Sequence, residues 1–383
     1  MRKLNLGAAG LGRAFSLMAP TLAADSRVAL VAASDPRPEA RRRFCEEFGG
    51  RAYDTVEALC ADDALDAVYV ATPHERHAEH ACLAASRGKH VLVEKPMALA
   101  LEECRAMIDA AARHRVRLVV GHSHSFDAPV ARARELIASG RFGRLRMLTA
   151  MNYTDFLYRP RRPEELDPAK GGGAVMNQAA HHVDVVRLLG GEVTSVRAMT
   201  GAWDPARPVE GAYAALLGLA GGAFATIAYS GYGRFDSDEL LGWIGEGGQR
   251  KDPERYGAAR AALAGDESAT KNERNYGGPR FAPPPAPAAH PHFGLLVASC
   301  EKADLRPTPQ GVWIYGEREK RFEAMPPGAA PRAGVIDELY AAVVGAKAPL
   351  HDGAWGMATV QACLAILRSA REGKEIALAA PTG

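Results

Sequence analysis

The segment LNLGAAGLG, residues 4–12, joins a short apolar run to a turn that contains three glycines. A helical pattern of apolar residues follows the turn and continues to Ala23. The apolar spacing thus changes from a short continuous run to the helical period, and this change predicts a strand, a glycine-rich turn and a helix in that order.

The glycine spacing in this turn matches a dinucleotide-binding pattern with one substitution. In the register G-x-G-x-x-G the outer glycines are Gly7 and Gly12, Ala9 takes the middle position, and Gly10 lets the turn shift. The first amides of the following helix and its dipole attract phosphate. The candidate pyrophosphate-binding residues are therefore Gly7, Ala9, Gly10, Leu11 and Gly12.

Alternating segments continue to about Gly121. Short apolar runs predict strands at Leu4–Leu6, Val28–Ala33, Ala67–Ala71, His90–Val93 and Arg117–Val120. Helical patterns lie at Gly12–Ala23, Pro38–Phe48, Val56–Leu59, Ala78–Arg87 and Leu101–Arg113. Strands that alternate with helices are typical of a doubly wound parallel sheet, so residues 1–123 are predicted to form a Rossmann domain of the α/β class.

Asp35 follows the second predicted strand, where a carboxylate accepts hydrogen bonds from the adenosine ribose and repels a 2′-phosphate. This position favours NAD as the cofactor. A structural alternative is that Asp35 caps the helix that begins near Pro38. Arg37 leaves NADP open, because its guanidinium could pair with a 2′-phosphate.

Residues 124–383 follow a different pattern, with few helices among alternating strand-like segments. Helices are predicted at Pro129–Ser139, at Gly173–Leu189 and, near the C-terminus, at 355–371. Strands are predicted at Leu145–Tyr153, Val193–Thr200, Ala212–Leu219 and Ala223–Tyr229. Six prolines make residues 279–291 a surface loop, since proline disrupts helix interiors and central strands. The second domain is therefore predicted to be α+β, with a mostly antiparallel sheet.

Composition limits the kinds of partner. Charged residues make up 24% of the chain and the formal net charge is +2, so no electrostatic footprint for nucleic acid or a membrane surface is present. A small molecule is the expected partner. The six cysteines show no C-x-x-C pair, which is typical of free thiols in the cytoplasm. The N-terminus has some features of a secretory leader, but Arg13 interrupts its apolar region and the Rossmann domain needs these residues.

Three ordered motifs resemble the glucose-fructose oxidoreductase/inositol dehydrogenase/MocA family. They are Ala71-Thr72-Pro73 with His77, the block Gly88-Lys89-His90-Val91-Leu92-Val93-Glu94-Lys95-Pro96, and Gly171-Gly172-Gly173 with Asn177, His181 and Asp184. The resemblance implies a pyridine-nucleotide oxidoreductase that acts on polyol, sugar or cyclic alcohol carbons. It also implies a homodimer or homotetramer formed through the open sheet of the second domain.

The same resemblance implies roles for individual residues. Lys95 would be the catalytic acid/base, with a cis peptide bond to Pro96, and Glu94 would help to hold the nicotinamide ribose. Thr72, Pro73 and His77 would line the cofactor, and His181 would face the substrate. Asn177 stands where the family usually has an aspartate. An amide can orient the substrate or the lysine, but it cannot titrate.

A narrower resemblance points to the phthalate dihydrodiol dehydrogenase subgroup, which oxidises carboxylated cis-dihydrodiols. It is carried by Tyr158-Arg159-Pro160-Arg161-Arg162-Pro163-Glu164-Glu165-Leu166, by Asn177-Gln178-Ala179-Ala180-His181-His182, and by residues 230–239. A run of arginines can hold a carboxylate in a bidentate pair, although such a run can also be a solvated face. The candidate substrate-binding residues are Arg159, Arg162, Arg234, Tyr153, His124 and His182.

A metal site is not predicted. His181 and His182 are adjacent on a predicted helix and point about 100° apart, so they cannot chelate together. His122 and His124 have no Cys or Glu at zinc-like spacing.

The sequence therefore predicts an NAD(P)-dependent dehydrogenase that moves hydride between the nicotinamide and a secondary alcohol carbon of a cyclic polyol, a sugar or a carboxylated cis-dihydrodiol. Two alternatives remain open. One is a regulatory or sensor protein that keeps the fold and binds NAD(P), which the asparagine at position 177 favours. The other is an NADPH-dependent aldose or ketose reductase, which Arg37 permits.

Overall fold

The computed structural model describes residues 2–263, 265–326, 328 and 330–379. The chain divides into two compact units. Unit 1 comprises Met1–His122, Asp266–Pro284 and Arg332–Val360, and unit 2 comprises Ser123–Gly265, Pro285–Pro331 and Gln361–Gly383. Two stretches from the second half of the sequence therefore belong to the first unit. The domains predicted from the sequence, residues 1–123 and 124–383, place both stretches in the second domain.

Unit 1 is built on a six-stranded parallel sheet with the order β3-β2-β1-β4-β5-β6. The strands are β1 Leu4–Ala9, β2 Val28–Ser34, β3 Arg51–Tyr53, β4 Ala67–Val70, β5 His90–Val93 and β6 Leu118–Val120. The helices in the first part of the chain are α1 Arg13–Ala24, α2 Pro38–Phe48, α3 Val56–Cys60, α4 His77–Ser86 and α5 Leu101–His114. This strand order is that of a Rossmann fold, so the predicted fold class is confirmed.

Local sequence explains these elements well. β4 is buried along its whole length, as expected for a central parallel strand covered on both faces. Helix α2 begins with Pro38 in its first turn and ends at Gly49, whose φ of 65° is easiest for a residue without a Cβ. Strand β3 was not predicted, because three residues are too few to show a period. His90–Val93, the fourth of the predicted strands, is therefore the fifth strand of the structure, and Lys95 follows it.

Unit 2 contains a nine-stranded sheet with the order β14-β13-β12-β11-β7-β10-β9-β8-β15. Its strands are β7 Leu145–Tyr153, β8 Val193–Gly201, β9 Ala212–Leu219, β10 Phe224–Ser230, β11 Leu295–Cys300, β12 Ala303–Thr308, β13 Gly311–Gly316, β14 Lys320–Ala324 and β15 Ile376–Ala377. The pairing is antiparallel except between β7 and β10. The prediction of a mostly antiparallel sheet is confirmed, although strands β11–β15 were not predicted.

The remaining helices are α6 Ala128–Ala138, α7 Ala180–Gly190, α8 Ala258–Ala261, α9 Glu267–Arg274, α10 Ala333–Val343 and α11 Gly353–Glu372. α9 and α10 lie in unit 1, and α11 begins in unit 1 and ends in unit 2. The proline-rich stretch 279–291 forms neither helix nor strand, as predicted. In the part of the chain that the structure describes, every helix is too short or too polar to span a lipid bilayer.

One face of the unit 2 sheet carries large apolar side chains that are exposed. They are Met199 at 69%, Leu216 at 48%, Phe224 at 44% and Phe322 at 38% exposure. The opposite face is buried, with Leu217 and Leu148 at 0% exposure. Helices α6 and α7 contact the sheet through strands β7, β10, β12 and β13. A sheet with one covered face and one bare apolar face is incomplete as a core layer.

Candidate active site

The glycine-rich turn lies at the carboxyl end of β1, beside the point where the strand order reverses between β1 and β4. Gly10 has a φ of 90°, and a Cβ there would lie 2.8 Å from the carbonyl oxygen of Ala71. Gly12 precedes α1, and a Cβ at Gly12 would meet no atom within 4 Å. Gly7 is a strand residue, paired with β2 and β4. The turn thus needs glycine at position 10 and leaves open space before the first amides of α1, which suits a pyrophosphate.

Asp35 follows β2 and is joined to this turn. One oxygen of its carboxylate, Oδ2, accepts a hydrogen bond of 2.8 Å from the backbone N–H of Leu11. The other oxygen, Oδ1, accepts bonds of 2.9 Å from the backbone N–H and the Nε of Arg37. The carboxylate is 6% exposed. Asp35 therefore holds the turn in place and pairs with Arg37, which the sequence motif does not reveal.

His77, predicted to line the cofactor, lies at the start of α4 and has no exposed surface. Its Nδ1 lies 2.9 Å from the carbonyl oxygen of Pro96, and its Nε2 lies 2.9 Å from that of Thr72. Burial lowers its pKa. Thr72 also bonds through its hydroxyl to the Nδ1 of His80 at 2.9 Å. His77 therefore braces the segment after β4 against the segment after β5.

Glu94, Lys95 and Pro96 follow β5, where ligands bind in open α/β sheets. The peptide bond between Lys95 and Pro96 is cis, as the resemblance implied. Glu94 is 5% exposed, and its Oε1 accepts a 2.6 Å hydrogen bond from the hydroxyl of Tyr69. Arg332, which is 238 positions further along the chain, lies 3.5 Å from the same oxygen. Tyr69 and Arg332 fix the carboxylate beside the lysine, and no sequence motif signals either of them.

In unit 2, the glycine block leads into a π-helix, Val175–Ala179, and then into α7. π-helical turns occur often at functional sites. The amide nitrogen of Asn177 donates to the carbonyl oxygens of Gly171 at 2.9 Å and of Gly173 at 2.8 Å. Glu210 accepts a 3.0 Å bond from the backbone N–H of Val175, and burial raises the pKa of this carboxyl. Asn177 and Glu210 therefore both hold the glycine block.

His181 lies in a cluster of rings within unit 2. Its ring centroid is 4.7 Å from that of His124 and 4.6 Å from that of Phe293. The Nδ1 of His124 lies 2.7 Å from the Oδ2 of Asp127, an arrangement that fixes the orientation of this imidazole. The structure thus brings together three of the predicted site residues, His181, His124 and His182, and adds Phe293 and Asp127.

His182 belongs to the same cluster but faces the core. Its Nδ1 lies 2.9 Å from the hydroxyl of Tyr213, and its ring is 4.8 Å from that of Phe293. Burial, with a smaller contribution from His124, lowers the pKa of His182 to about 3. This imidazole is therefore neutral at ordinary pH, and its contacts are those of a packed aromatic core.

The predicted arginine clamp is tied to acidic residues of the chain. Arg159 donates from Nε to Asp155 at 2.8 Å, and its Nη2 lies 4.0 Å from the Oε2 of Glu246. Burial alone would lower the pKa of Arg159, but Asp155 and Glu246 raise it. The Nε of Arg162 is 3.5 Å from Glu165. Arg161 packs over the ring of Phe156, and Arg234 is exposed.

Glu246 is a site residue that sequence reasoning missed. Its Oε1 accepts a 3.0 Å hydrogen bond from the side-chain amide of Asn152, at the end of β7. Burial would raise its pKa, but Arg159, His124 and His292 lower it. The carboxylate of Glu246 therefore interacts with Arg159 and with the imidazoles of His124 and His292. Tyr153, a predicted substrate contact, follows Asn152 and lies with its ring 5.8 Å from Phe235.

Among the described residues, no three His, Cys, Asp or Glu side chains converge in a group that could hold a metal ion. Lys95 lies in unit 1 and His181 in unit 2. The glycine-rich turn at the strand-order reversal and the lysine at the carboxyl end of β5 define a pyridine-nucleotide oxidoreductase.

Comparison with known proteins agrees with this class. Residues 4–122 match the model of the oxidoreductase family with the NAD-binding Rossmann fold, and residues 130–249 match the GFO/IDH/MocA C-terminal domain. A full-length relative is the 1-carboxy-3-chloro-3,4-dihydroxycyclo hexa-1,5-diene dehydrogenase of Comamonas testosteroni. It is 46% identical over 377 residues, which cover 96% of this chain and 95% of the relative.

Two solved structures extend the comparison. One, from Bordetella bronchiseptica RB50, carries a provisional assignment as a dehydrogenase. It is 42% identical, has a TM-score of 0.92, and the match covers 98% of this chain and 100% of that one. The other is the WlbA dehydrogenase from Bordetella pertussis in complex with NADH and UDP-GlcNAcA. It is 26% identical, with a TM-score of 0.70 and coverage of 99% and 100%.

The chain belongs to the GFO/IDH/MocA oxidoreductase family. It is an NAD(P)-dependent dehydrogenase, as the sequence predicted, and its relatives include a dihydrodiol dehydrogenase, in agreement with the narrower resemblance. Family membership favours the enzyme over the regulatory alternative.

Proposed function

We propose that the protein oxidises a carboxylated cyclic cis-dihydrodiol to the corresponding catechol with NAD. The observation that carries this proposal is the 46% identity, over 95% of its length, to a dehydrogenase whose substrate is a carboxylated dihydroxycyclohexadiene. The buried carboxylate of Glu94 beside the half-buried Lys95 after β5, and the contact of Arg159 with Glu246 in unit 2, support the same chemistry. Residues 1–123, with the two later stretches that unit 1 includes, form the proposed dinucleotide domain, and the rest of residues 124–383 form the proposed substrate domain, of which residues 380–383 lie outside the described part.

The proposed reaction removes one hydride and one proton from a secondary alcohol. NAD⁺, which the glycine-rich turn before α1 would hold, would supply the acceptor for the hydride of the carbinol carbon. The Nζ of Lys95 takes the hydroxyl proton, so the C–H and O–H bonds break and a C=O bond forms. The resulting hydroxydienone then shifts one proton to become aromatic. Glu94, held by Tyr69 and Arg332, keeps the lysine segment in place.

Unit 2 supplies the proposed substrate contacts. His181 and His124 offer ring nitrogens to the hydroxyl groups, and Phe293 offers an apolar face to the diene ring. Arg159 is the proposed carboxylate ligand, because its 4.0 Å contact with Glu246 is loose enough to exchange. Its partner Asp155 holds the guanidinium in position by the shorter contact of 2.8 Å.

The test of the proposed function compares Lys95→Ala with Lys302→Ala, a variant at an exposed position. NADH formation is followed with a carboxylated cis-dihydrodiol, and NAD⁺ affinity is measured by calorimetry. We expect Lys95→Ala to lower kcat by about 10²- to 10⁴-fold, the usual contribution of a positioned acid/base, with little change in NAD⁺ affinity. Unchanged turnover would refute the role of Lys95. Absence of turnover of any carboxylated dihydrodiol by the unmodified enzyme would refute the substrate.

We further propose a homodimer or homotetramer that forms through the exposed sheet face of unit 2. Cross-strand partners share one face of a sheet, and Leu216 is paired with Thr226, so both project from the bare side. Burial of exposed apolar side chains such as Leu216 and Phe224 favours association. Leu216→Glu is expected to yield a monomer in light scattering, whereas Tyr256→Ala, an exposed site away from this sheet, is not.

The proposed location is the cytoplasm. All six cysteines are free thiols, and three of them, Cys60, Cys104 and Cys363, are buried. Free buried thiols are typical of a reducing compartment.

A further inference from the structure

The guanidinium of Arg37 is held by three parts of unit 1. Its Nε and Nη2 donate to the two oxygens of Asp35 at 2.9 and 3.2 Å. Its Nη2 also donates to the carbonyl oxygen of Leu11 at 2.9 Å, and its Nη1 donates to that of Tyr276 at 3.2 Å. A guanidinium has five N–H groups. Four of these five N–H groups therefore donate to the chain, and one is left for a phosphate.

Tyr276 belongs to the segment Asp266–Pro284, which comes from the second half of the sequence but is part of unit 1. Its ring has 1% exposure and packs edge-on against Phe15 of α1, with 5.0 Å between centroids. Its hydroxyl donates to Glu47 of α2 at 2.9 Å. The segment is thus anchored on the helices that follow β1 and β2.

Gly277 shows how closely the segment approaches α2. Its φ is 82°, and a Cβ there would lie 2.5 Å from the Cα of Ala40. A contact of that length with backbone cannot be relieved by a side-chain rotation. The carbonyl group of Tyr276, directly before Gly277, is therefore brought to Arg37 by a close backbone fit and by a buried aromatic ring.

In dinucleotide-binding folds an arginine near the acidic residue that follows the second strand can hold the 2′-phosphate of NADP, and Arg37 stands two positions after Asp35. We propose that the segment Asp266–Pro284 is a cofactor-selectivity element: it keeps the Arg37 guanidinium on Asp35, Leu11 and Tyr276, and so withholds it from a 2′-phosphate. The inference rests on the proposed use of NAD. Discrimination between NAD and NADP, which Asp35 would otherwise make alone, would then also depend on a segment from the second half of the sequence.

The experiment measures equilibrium dissociation constants for NAD⁺ and NADP⁺ by calorimetry, without substrate. Tyr276→Ala removes the anchoring ring, and Gly277→Ala forces the segment away from α2. Tyr256→Ala, at 77% exposure, is the matched control for the tyrosine. Gly257→Ala is the control for the glycine, because Gly257 has a φ of 72° with no atom within 4 Å of a Cβ.

We expect Tyr276→Ala and Gly277→Ala each to lower the ratio of the NADP⁺ to the NAD⁺ dissociation constant by about tenfold, the contribution of one charge-assisted hydrogen bond. The two controls should leave the ratio unchanged. In the Arg37→Ala background the same substitutions should have no effect on the ratio, since the gain requires the guanidinium.

Two results would overturn the proposal. One is an equal change in both dissociation constants for Tyr276→Ala and Gly277→Ala. The other is a gain in NADP⁺ affinity that persists without Arg37. Circular dichroism shows which variants are folded, and two independent substitutions keep the test available if one of them unfolds. Because no substrate is added, a wrong assignment of the dihydrodiol leaves this test valid, whereas failure of the unmodified protein to bind NAD⁺ would overturn both proposals.

Discussion

His182 makes the stability of unit 2 sensitive to acid. Its pKa in the folded protein is about 3, and the ordinary value is about 6.5. As the pH falls through 6.5, the unfolded chain binds a proton at this residue and the folded chain does not. The folded pKa is therefore the lower one, and stability is lost progressively from about pH 6.5 down to about pH 3. Above this window the residue has no effect on pH dependence.

The size of the loss follows from the two pKa values. Between about pH 7.5 and about pH 5, linkage gives a loss of about 2 kcal/mol in the free energy of unfolding. The side chain is 2% exposed, so solvent screening does not reduce this figure greatly. His182→Gln removes the titrating group and keeps an acceptor for the hydroxyl of Tyr213. The variant should lose about 2 kcal/mol less than the unmodified protein over the same pH change.

Urea unfolding at the two pH values, followed by tryptophan fluorescence and circular dichroism, measures the difference. With a slope on the order of 2 kcal/mol per molar urea, the expected difference is about 1 M in the shift of the midpoint. Other histidines, such as His77, contribute equally to the acid sensitivity of both proteins, so their contributions cancel in the comparison. His114→Gln, at an exposed position, is the control and should behave as the unmodified protein does. Equal acid sensitivity of His182→Gln and the unmodified protein would show that the imidazole is not buried as described.

Two further predictions concern the proposed site. Gly173→Ala places a Cβ in contact with the carboxylate of Glu210, at a φ of 100°. This substitution is expected to lower both kcat/KM and the melting temperature. The control is Gly191→Ala, with a φ of 87° and no atom within 4 Å of the added Cβ, and it should have the smaller effect on kcat/KM. Arg159→Ala is expected to raise KM about tenfold or more for a carboxylated dihydrodiol and much less for an uncharged one, while Arg318→Ala, at an exposed position, leaves both unchanged. An equal rise for both substrates with Arg159→Ala would remove this arginine from carboxylate recognition.

Local patterns were sufficient to predict the Rossmann fold. Residues 4–12 show the strand and the glycine turn directly, and the block that ends at Pro96 places Lys95 at the end of a strand. These features depend on neighbours in sequence, whose periodicity and glycine content can be read from the chain. The structure adds that Gly10, and not Gly7, has the left-handed conformation, because Gly7 pairs within the sheet.

Long-range partners could not be predicted in the same way. Arg332 lies near Glu94, and Tyr276 contacts Arg37, although more than 200 positions separate each pair. Nothing in the local pattern of either segment marks it as part of unit 1. Glu210 and Glu246 are likewise recognised only once the strands are paired. The strands β11–β14 escaped prediction because they follow the proline-rich stretch and alternate weakly.

Unit 1 is assembled from three separate stretches of the chain, and this has a practical meaning for protein engineering. An N-terminal fragment that stops at His122 would lack the partner of Glu94 and the carbonyl oxygen of His351, to which the backbone N–H of Val120 donates at 2.8 Å. Transplanting the nucleotide-binding module between homologues would therefore require carrying over the two later pieces as well. A chimera joined at one crossover point would inherit mismatched surfaces in the interior of that module.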